Sequence, residues 1–344
     1  MNRRTFCSLA AATVGLHAGP KIRVAVIGTL HGHAASKIKA LRSLPEYELA
    51  GVVRTVPADP GIAGVGWISL DEVLHDPTIE MVAIETRPGP NLGFAEQCVN
   101  AGKFVHLDKP PGASLGRLRT LLHEAKRRNR VVQMGYQWRY HPGMQAAIEA
   151  ARKGWLGDVY HFRATIDKPL ALDERIELAK FRGGFMFEEG CHLIDRAVDL
   201  FGKPQRITGY LRHDSKIADG LADNTLAILE YPRAIAEIYL ASFQPHGGLY
   251  RCLEVSGTNG KATVQPYAPL RLAIDLKEAA GPYQAGAQTL QPAEPAGPTY
   301  GPDFIEMARI IREGMTPTYS PEHDLIVQET LLQVCSMKSE RRPK

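Results

Sequence analysis

From Ile22 to Met134 the chain alternates apolar strand patterns with helical ones, and no other feature narrows its fold as much. Strand patterns fall at Ile22–Ile27, Tyr47–Val53, 81–84, Phe104–Leu107 and 131–134. Helical patterns fill the gaps: Ala34–Ser43, a short helix capped by Ser69, 92–101 closed by Gly102, and 114–129. Near-continuous apolar strands separated by helices specify a parallel sheet covered on both faces, an α/β doubly wound fold. Beyond Tyr140 the period changes. Segments 159–165, 205–211, 224–231, 234–242 and 251–257 alternate with period two, as half-buried antiparallel strands do. Helical patterns at 143–153 and 192–201 flank them, another spans 303–313, and 278–301, rich in Gly, Pro, Ala and Gln, is expected to be a long loop. The expected organisation is a doubly wound α/β domain over 21–140, an α+β domain with an open, mostly antiparallel sheet over 141–335, and a polar tail over 336–344.

With 344 residues, 44% of them hydrophobic, the chain can bury a core large enough for two domains. Its net charge of +4 is concentrated at the ends, with no basic run of the kind that binds nucleic acid. No apolar stretch reaches the ~18 residues needed to span a bilayer. The five cysteines are scattered without a Cys-x-x-Cys, which points to buried thiols rather than disulfides or a zinc site. Residues 1–20 carry Arg3-Arg4, Phe6, a weakly apolar alanine-rich run and a small residue at Ala18. This resembles a twin-arginine export signal, so the expected location is the periplasm or outside the cell, and otherwise the cytoplasm. The twin-arginine route carries proteins that have already folded.

Two segments carry the candidate chemistry. Gly28 follows the first strand and opens the way to a helix, where dinucleotide phosphates bind. The glycine fingerprint is incomplete, with Leu30 and His33 at its second and third glycine positions. The second strand ends in Arg54 rather than an acid, which tips the expected cofactor from NAD toward NADP. In the second segment, Phe104-Val-His-Leu107 runs into Asp108-Lys109-Pro110, placing a lysine at a strand's carboxyl end, where open parallel sheets bind ligands. Desolvation there can lower a lysine's pKa and make it an acid, a base or an electrostatic clamp. The expected cofactor contacts are Gly28, Thr29, Leu30, His31, Arg54, Thr86, Asp108, Lys109 and Pro110.

Together with Gln137-Trp-Arg-Tyr140, with Gly183-Gly-Phe-Met-Phe-Glu-Glu-Gly-Cys-His-Leu-Ile-Asp195 and with Val255-Ser-Gly-Thr-Asn-Gly260, these segments resemble the Gfo/Idh/MocA oxidoreductases from about Ile22 to Val334. The resemblance implies a Rossmann domain and an α+β domain whose sheet often forms the interface of a homo-oligomer. It also implies hydride transfer between NAD(P) and a secondary alcohol carbon of a small, sugar-like substrate. Lys109 matches the lysine of the family's Glu-Lys-Pro motif, with Asp108 for the glutamate. His192 matches the second motif's histidine, and Glu188 its usual acid. His192, with an ordinary pKa near 6.5, is the expected base for the hydroxyl proton. Lys109 is expected to stabilise developing charge on the same oxygen, and Glu188, four residues before His192, to orient the imidazole or a substrate hydroxyl. Lys109, Glu188, His192, Asp195, Tyr140, Arg139 and Arg182 are the expected substrate contacts.

The chain departs from the family after the third strand, where Ala-Thr-Pro-Asn becomes Glu85-Thr86-Arg87-Pro88 and Asn91 replaces a histidine. Glu85 and Arg87 are expected to bind substrate carboxylate or ribose, or to pair with each other. His31, His33, Glu85, His106 and Asp108 are metal-ligand types, but no ligand spacing supports an ion and none is expected. The rewritten loop suggests a tightly held, recycled cofactor. Two alternatives remain: a glycosidase or lyase using transient oxidation by such a cofactor, and a non-enzymatic ligand-binding or regulatory protein.

Overall fold

The computed structural model describes residues 19–293 and 297–337, so the twin-arginine segment lies outside the described residues. The first sheet comprises β1 (Ile22–Ile27), β2 (Tyr47–Val53), β3 (Trp67–Ile68), β4 (Ile79–Ile84), β5 (Phe104–Leu107) and β6 (Val132–Met134). All pairs are parallel, in the order β3-β2-β1-β4-β5-β6. Strand order therefore reverses between β1 and β4, and the crevice at their carboxyl ends is where such sheets hold ligands. The connecting helices are α1 (Ala34–Ser43), α2 (Leu70–His75), α3 (Asn91–Asn100) and α4 (Leu115–Arg127). Ser69 closes a full capping box with Glu72 at the start of α2, satisfying amides that the helix leaves open. The two-residue β3 is too short for its pattern to be read from sequence.

The second unit contributes α5 (Pro142–Arg152), β7 (Val159–Asp167), α6 (Leu172–Leu178) and α7 (Cys191–Phe201). It continues with β8 (Arg206–Arg212), β9 (Asn224–Glu230), β10 (Ile235–Ala241), β11 (Cys252–Gly257), β12 (Gly260–Val264), β13 (Leu272–Leu276) and β14 (Gly286–Leu290). The chain then forms α8 (Gly301–Glu313) and α9 (Pro321–Val334). These eight strands make one sheet in the order β14-β13-β12-β11-β7-β10-β9-β8, antiparallel except where β10 meets β7. The mostly antiparallel sheet agrees with the sequence pattern, with helices α5 and α7 on one face. The loop expected over 278–301 instead contains β14, whose weakly apolar sequence Gly-Ala-Gln-Thr-Leu is specified by pairing with β13 rather than by burial.

The chain does not stay in the second unit after Tyr140. Phe304 and Met307 of α8, fully buried, pack with Val24 and Val26 of β1 and Ile38 of α1. Each such side chain removed from water contributes on the order of 2 kcal/mol, so α8 is part of the first domain's core rather than of the 141–335 unit expected. A second core runs without interruption from β4 and β5 through α7 and α9 to the second sheet. Cys98, Cys191, Cys252 and Cys335 are buried free thiols. Among the described residues no helix is long and apolar enough to cross a membrane.

Candidate active site

The carboxyl ends of β1, β4 and β5 meet the turn preceding α7 around a cavity of about 520 Å³. Gly28 leaves β1 at φ +81°, a conformation that favours glycine, and a Cβ there would lie 2.9 Å from Thr86 Cγ2. We expect Gly28→Ala to cost about 1–2 kcal/mol through backbone strain and to weaken nucleotide binding. Thermal unfolding and nucleotide titration of the same preparation would check both effects; unchanged binding would detach this loop from the ligand.

Lys109 stands at the end of β5, its side chain 1% exposed, with Nζ 2.9 Å from Glu188 Oε1 and 3.0 Å from the Glu188 carbonyl. Glu189 lies 3.9 Å away. Burial alone would lower the lysine's pKa, but the two carboxylates overcome it and hold the pKa well above its ordinary value. Of the roles open to Lys109, acid, base or electrostatic clamp, a raised pKa fits the clamp, a fixed cation. For Glu188, burial raises the pKa, and Lys109 and His31 together bring it down to about 2.

His192 differs more from expectation. It is fully buried and lies outside the cavity wall, beside the rings of Tyr136 and Trp138 at centroid distances of 5.9 and 6.2 Å. Burial and the Lys109 charge push its pKa well below the ordinary histidine value, so the imidazole is neutral. Both ring nitrogens are buried with no hydrogen-bond partner among the described residues. Nor does Glu188 orient it. Met186–Gly190 form a π-helical turn before α7, and this wider turn breaks the i, i+4 register assumed from sequence. Glu188 turns to Lys109 and His31, while Glu189 comes within 4.0 Å of His192 Nε2.

The first loop brings its own side chains into the site. His31 Nδ1 is 2.6 Å from Asp108 Oδ2, and its Nε2 is 3.2 Å from Glu188 Oε1, so the imidazole bridges the two domains. Burial would lower its pKa, but Asp108 and Glu188 raise it to about 9. His33 Nδ1 lies 3.2 Å from Asp108 Oδ2. Beneath them Lys37 reaches Glu85 at 2.8 Å and Asp108 at 3.2 Å, all three side chains fully buried. Glu85 and Arg87 do not pair: Arg87 crosses to Glu177 of α6 at 3.1 Å.

Thr29 donates both its N–H and its hydroxyl to Asp59, which is 3% exposed. Thr86 bonds Asn91, and Asn91 in turn donates to the carbonyl of Pro110 at 3.2 Å. Asn91 thus braces the strand ends in place of the family's histidine. Leu30 lines the cavity.

Other expected contacts lie elsewhere. Arg54 stacks over Trp67 at 4.3 Å. Arg182 is exposed and off the cavity wall. Tyr140 donates to Glu306 and faces a second hollow of about 360 Å³. Asp195 is held by Arg139, Arg196 and His323 inside the core. Its charge is already matched by these neighbours. Sequence reasoning missed Lys37 and Asp59. Lys37 did leave a signal, since it interrupts the apolar stripe Ala34, Ile38, Leu41 on α1.

Comparison with known proteins follows the same outline. Residues 22–136 match the oxidoreductase family's NAD-binding Rossmann fold, and residues 144–263 match the GFO/IDH/MocA C-terminal domain. An uncharacterised oxidoreductase of Schizosaccharomyces pombe is 28% identical over 244 residues, covering 69% of this chain and 62% of the relative. The trans-1,2-dihydrobenzene-1,2-diol dehydrogenase of Bos taurus is 28% identical over 197 residues, 56% of this chain and 57% of that enzyme. The chain thus spans about three fifths of the length of these relatives. GenD2 of gentamicin A biosynthesis, solved in complex with NAD, superposes with a TM-score of 0.78 at 24% identity, covering 94% of this chain and 96% of that one; at that identity the likeness speaks for the fold. With both of its characteristic domains matched in order, the chain belongs to the Gfo/Idh/MocA family of NAD-binding oxidoreductases.

Proposed function

We propose that this protein transfers a hydride between a nicotinamide cofactor and a secondary alcohol carbon of a sugar or polyol. The observation that carries the reading is Lys109, a protonated lysine fixed by Glu188 at the floor of a cavity formed where the strand order reverses. A cation there stabilises negative charge on an alcohol oxygen as its proton leaves. The name of the dihydrodiol dehydrogenase, a relative acting on vicinal alcohols, fits the same class.

The cofactor, when bound, supplies the hydride acceptor. Gly28, Thr29 and Leu30 would hold its phosphates. Asp59, held at this loop by Thr29, is the acid we assign to the ribose hydroxyls, a role acids play beside this loop in Rossmann folds. A carboxylate there repels a 2′-phosphate, and Arg54 is committed to Trp67, so NAD rather than NADP is the cofactor we assign. We assign the hydroxyl proton to His192, a neutral imidazole whose ring nitrogens have no hydrogen-bond partner among the described residues. The open face of the second sheet, with Tyr210 and Ile235 about half exposed, is the surface through which copies would associate. Export rests on the Arg3-Arg4 segment alone.

Absorbance of the purified protein at nicotinamide wavelengths, mass analysis of whatever denaturation releases, and titration with NAD and NADP test the reading. NAD should bind at least about tenfold more tightly than NADP, a difference of ~1.4 kcal/mol. Oxidation of a panel of sugars and polyols should then reduce it. A chain that neither carries nor takes up either nucleotide is not an oxidoreductase of this kind, and the transient-oxidation lyase fails with it.

A further inference from the structure

Two imidazoles and a carboxylate meet at the cavity mouth in an arrangement the hydride-transfer reading does not use. His31, His33 and Asp108 can each offer one donor atom, and three such atoms lie within 4.8 Å of one another; His31 Nδ1 and His33 Nδ1 stand 2.6 and 3.2 Å from Asp108 Oδ2. We propose that His31, His33 and Asp108 form a binding site for a first-row divalent metal ion such as Zn²⁺ or Co²⁺, open to the cavity on its remaining coordination positions.

Ligand type supports the ion class. Two imidazoles with one carboxylate suit the borderline divalent metals and disfavour Mg²⁺ and Ca²⁺, which prefer oxygen donors throughout. The surrounding groups have the form of an outer shell. A metal-bound histidine commonly passes its other N–H to a carboxylate, which fixes tautomer and ring orientation. His31 does this: with Nδ1 facing Asp108, Nε2 is 3.2 Å from Glu188 Oε1. Asp108 is also held on its far oxygen. Oδ1 accepts the Lys109 backbone N–H at 2.8 Å and lies 3.2 Å from Lys37 Nζ, leaving Oδ2 to the two histidines. Gly135 leaves room for this arrangement, since a Cβ there would come within 2.9 Å of Asp108 Oδ1.

Charge does not forbid the ion. Lys109 is matched by Glu188, and Lys37 is shared between Glu85 and Asp108 Oδ1; on Asp108 Oδ2 an entering dication displaces the proton that His31 shares with it. His31 and His33 also line the cavity, whose wall includes Leu30 and Lys109. Adjacent oxygens of a small diol or hydroxy acid could complete the shell there. This inference goes beyond the oxidoreductase reading and does not depend on it, because all three ligands come from the chain itself.

The test uses the untagged full chain, stripped with chelator and titrated with Zn²⁺ by calorimetry and with Co²⁺ by visible absorption. One ion per chain is expected, with a Zn²⁺-dependent rise in the unfolding temperature. His33→Ala, at a partly exposed position, should lose that rise and bind at least about tenfold more weakly, and Glu188→Gln should weaken binding about tenfold through His31. Uptake of no stoichiometric ion by the wild type would overturn the proposal. So would His33→Ala and His31→Ala variants that, folded by circular dichroism, bind as well as the wild type. NAD titration of the same preparations, with and without Zn²⁺, keeps failure of the metal site distinct from failure of the nicotinamide reading.

Discussion

Lys109→Met is expected to abolish turnover and to destabilise the fold by about 3–5 kcal/mol, the usual cost of leaving a buried carboxylate without its cation. The two effects have separate origins. On the proposed reading, the catalytic loss follows from removing the positive charge that would stabilise the reacting oxygen. The destabilisation follows from Glu188, whose Oε1 lies 2.9 Å from the ammonium and whose side chain is 12% exposed. Glu188→Gln in the same chain should therefore restore much of the stability while leaving the enzyme inactive, because a neutral amide needs no counter-charge. Denaturant unfolding of the single and double variants, alongside turnover with whichever polyol the panel identifies, checks this. Near-normal turnover in folded Lys109→Met would remove the lysine from the mechanism. An inactive single variant whose stability is unchanged would mean that His31 alone can neutralise Glu188.

What the sequence discloses and what it hides divide along physical lines. Five of the six parallel strands are legible because each centres on a short, mainly apolar run, and α1 and β2 end where their patterns end. Lys109 is legible because a strand running into proline fixes where its carboxyl end lies. Its electrostatics are not, because the groups that raise its pKa, Glu188 and Glu189, arrive from 79 and 80 residues away on a π-helical turn. That same turn defeats the helical spacing that would pair Glu188 with His192. The Glu85-Thr-Arg87 departure reads as a local pair in one dimension. In the structure its two charges belong to different neighbours, Lys37 and Glu177, which only the fold brings near. His31 and His33 show as residue types, but their convergence on Asp108 depends on the β1–α1 loop running six residues before its helix begins.

Arg139 and Asp195, both read from sequence as substrate contacts, form instead a buried tie between the domains, and Arg139→Met is expected to unfold the protein rather than slow it selectively. Arg139 follows β6 of the first sheet. Its guanidinium bonds Asp195 of α7 at 2.7 Å and Asp324 of α9, and lies between the rings of Tyr136 and Tyr319 at 4.7 and 4.1 Å. Asp195 keeps Arg196 and His323 when Arg139 is replaced. Among the described residues Asp324 has Arg139 as its only ion-pair partner, and burial holds its pKa up even with Arg139 beside it. The expected cost is about 3–5 kcal/mol, with Asp324→Asn in the same chain recovering a substantial part because no buried charge is then left unmatched. Urea unfolding measures both. The kinetic readout separates the roles. Were Arg139 a group that only binds substrate, its replacement would raise KM at an unchanged unfolding midpoint. Breaking a tie between domains instead lowers the midpoint and leaves KM of the folded fraction as it was.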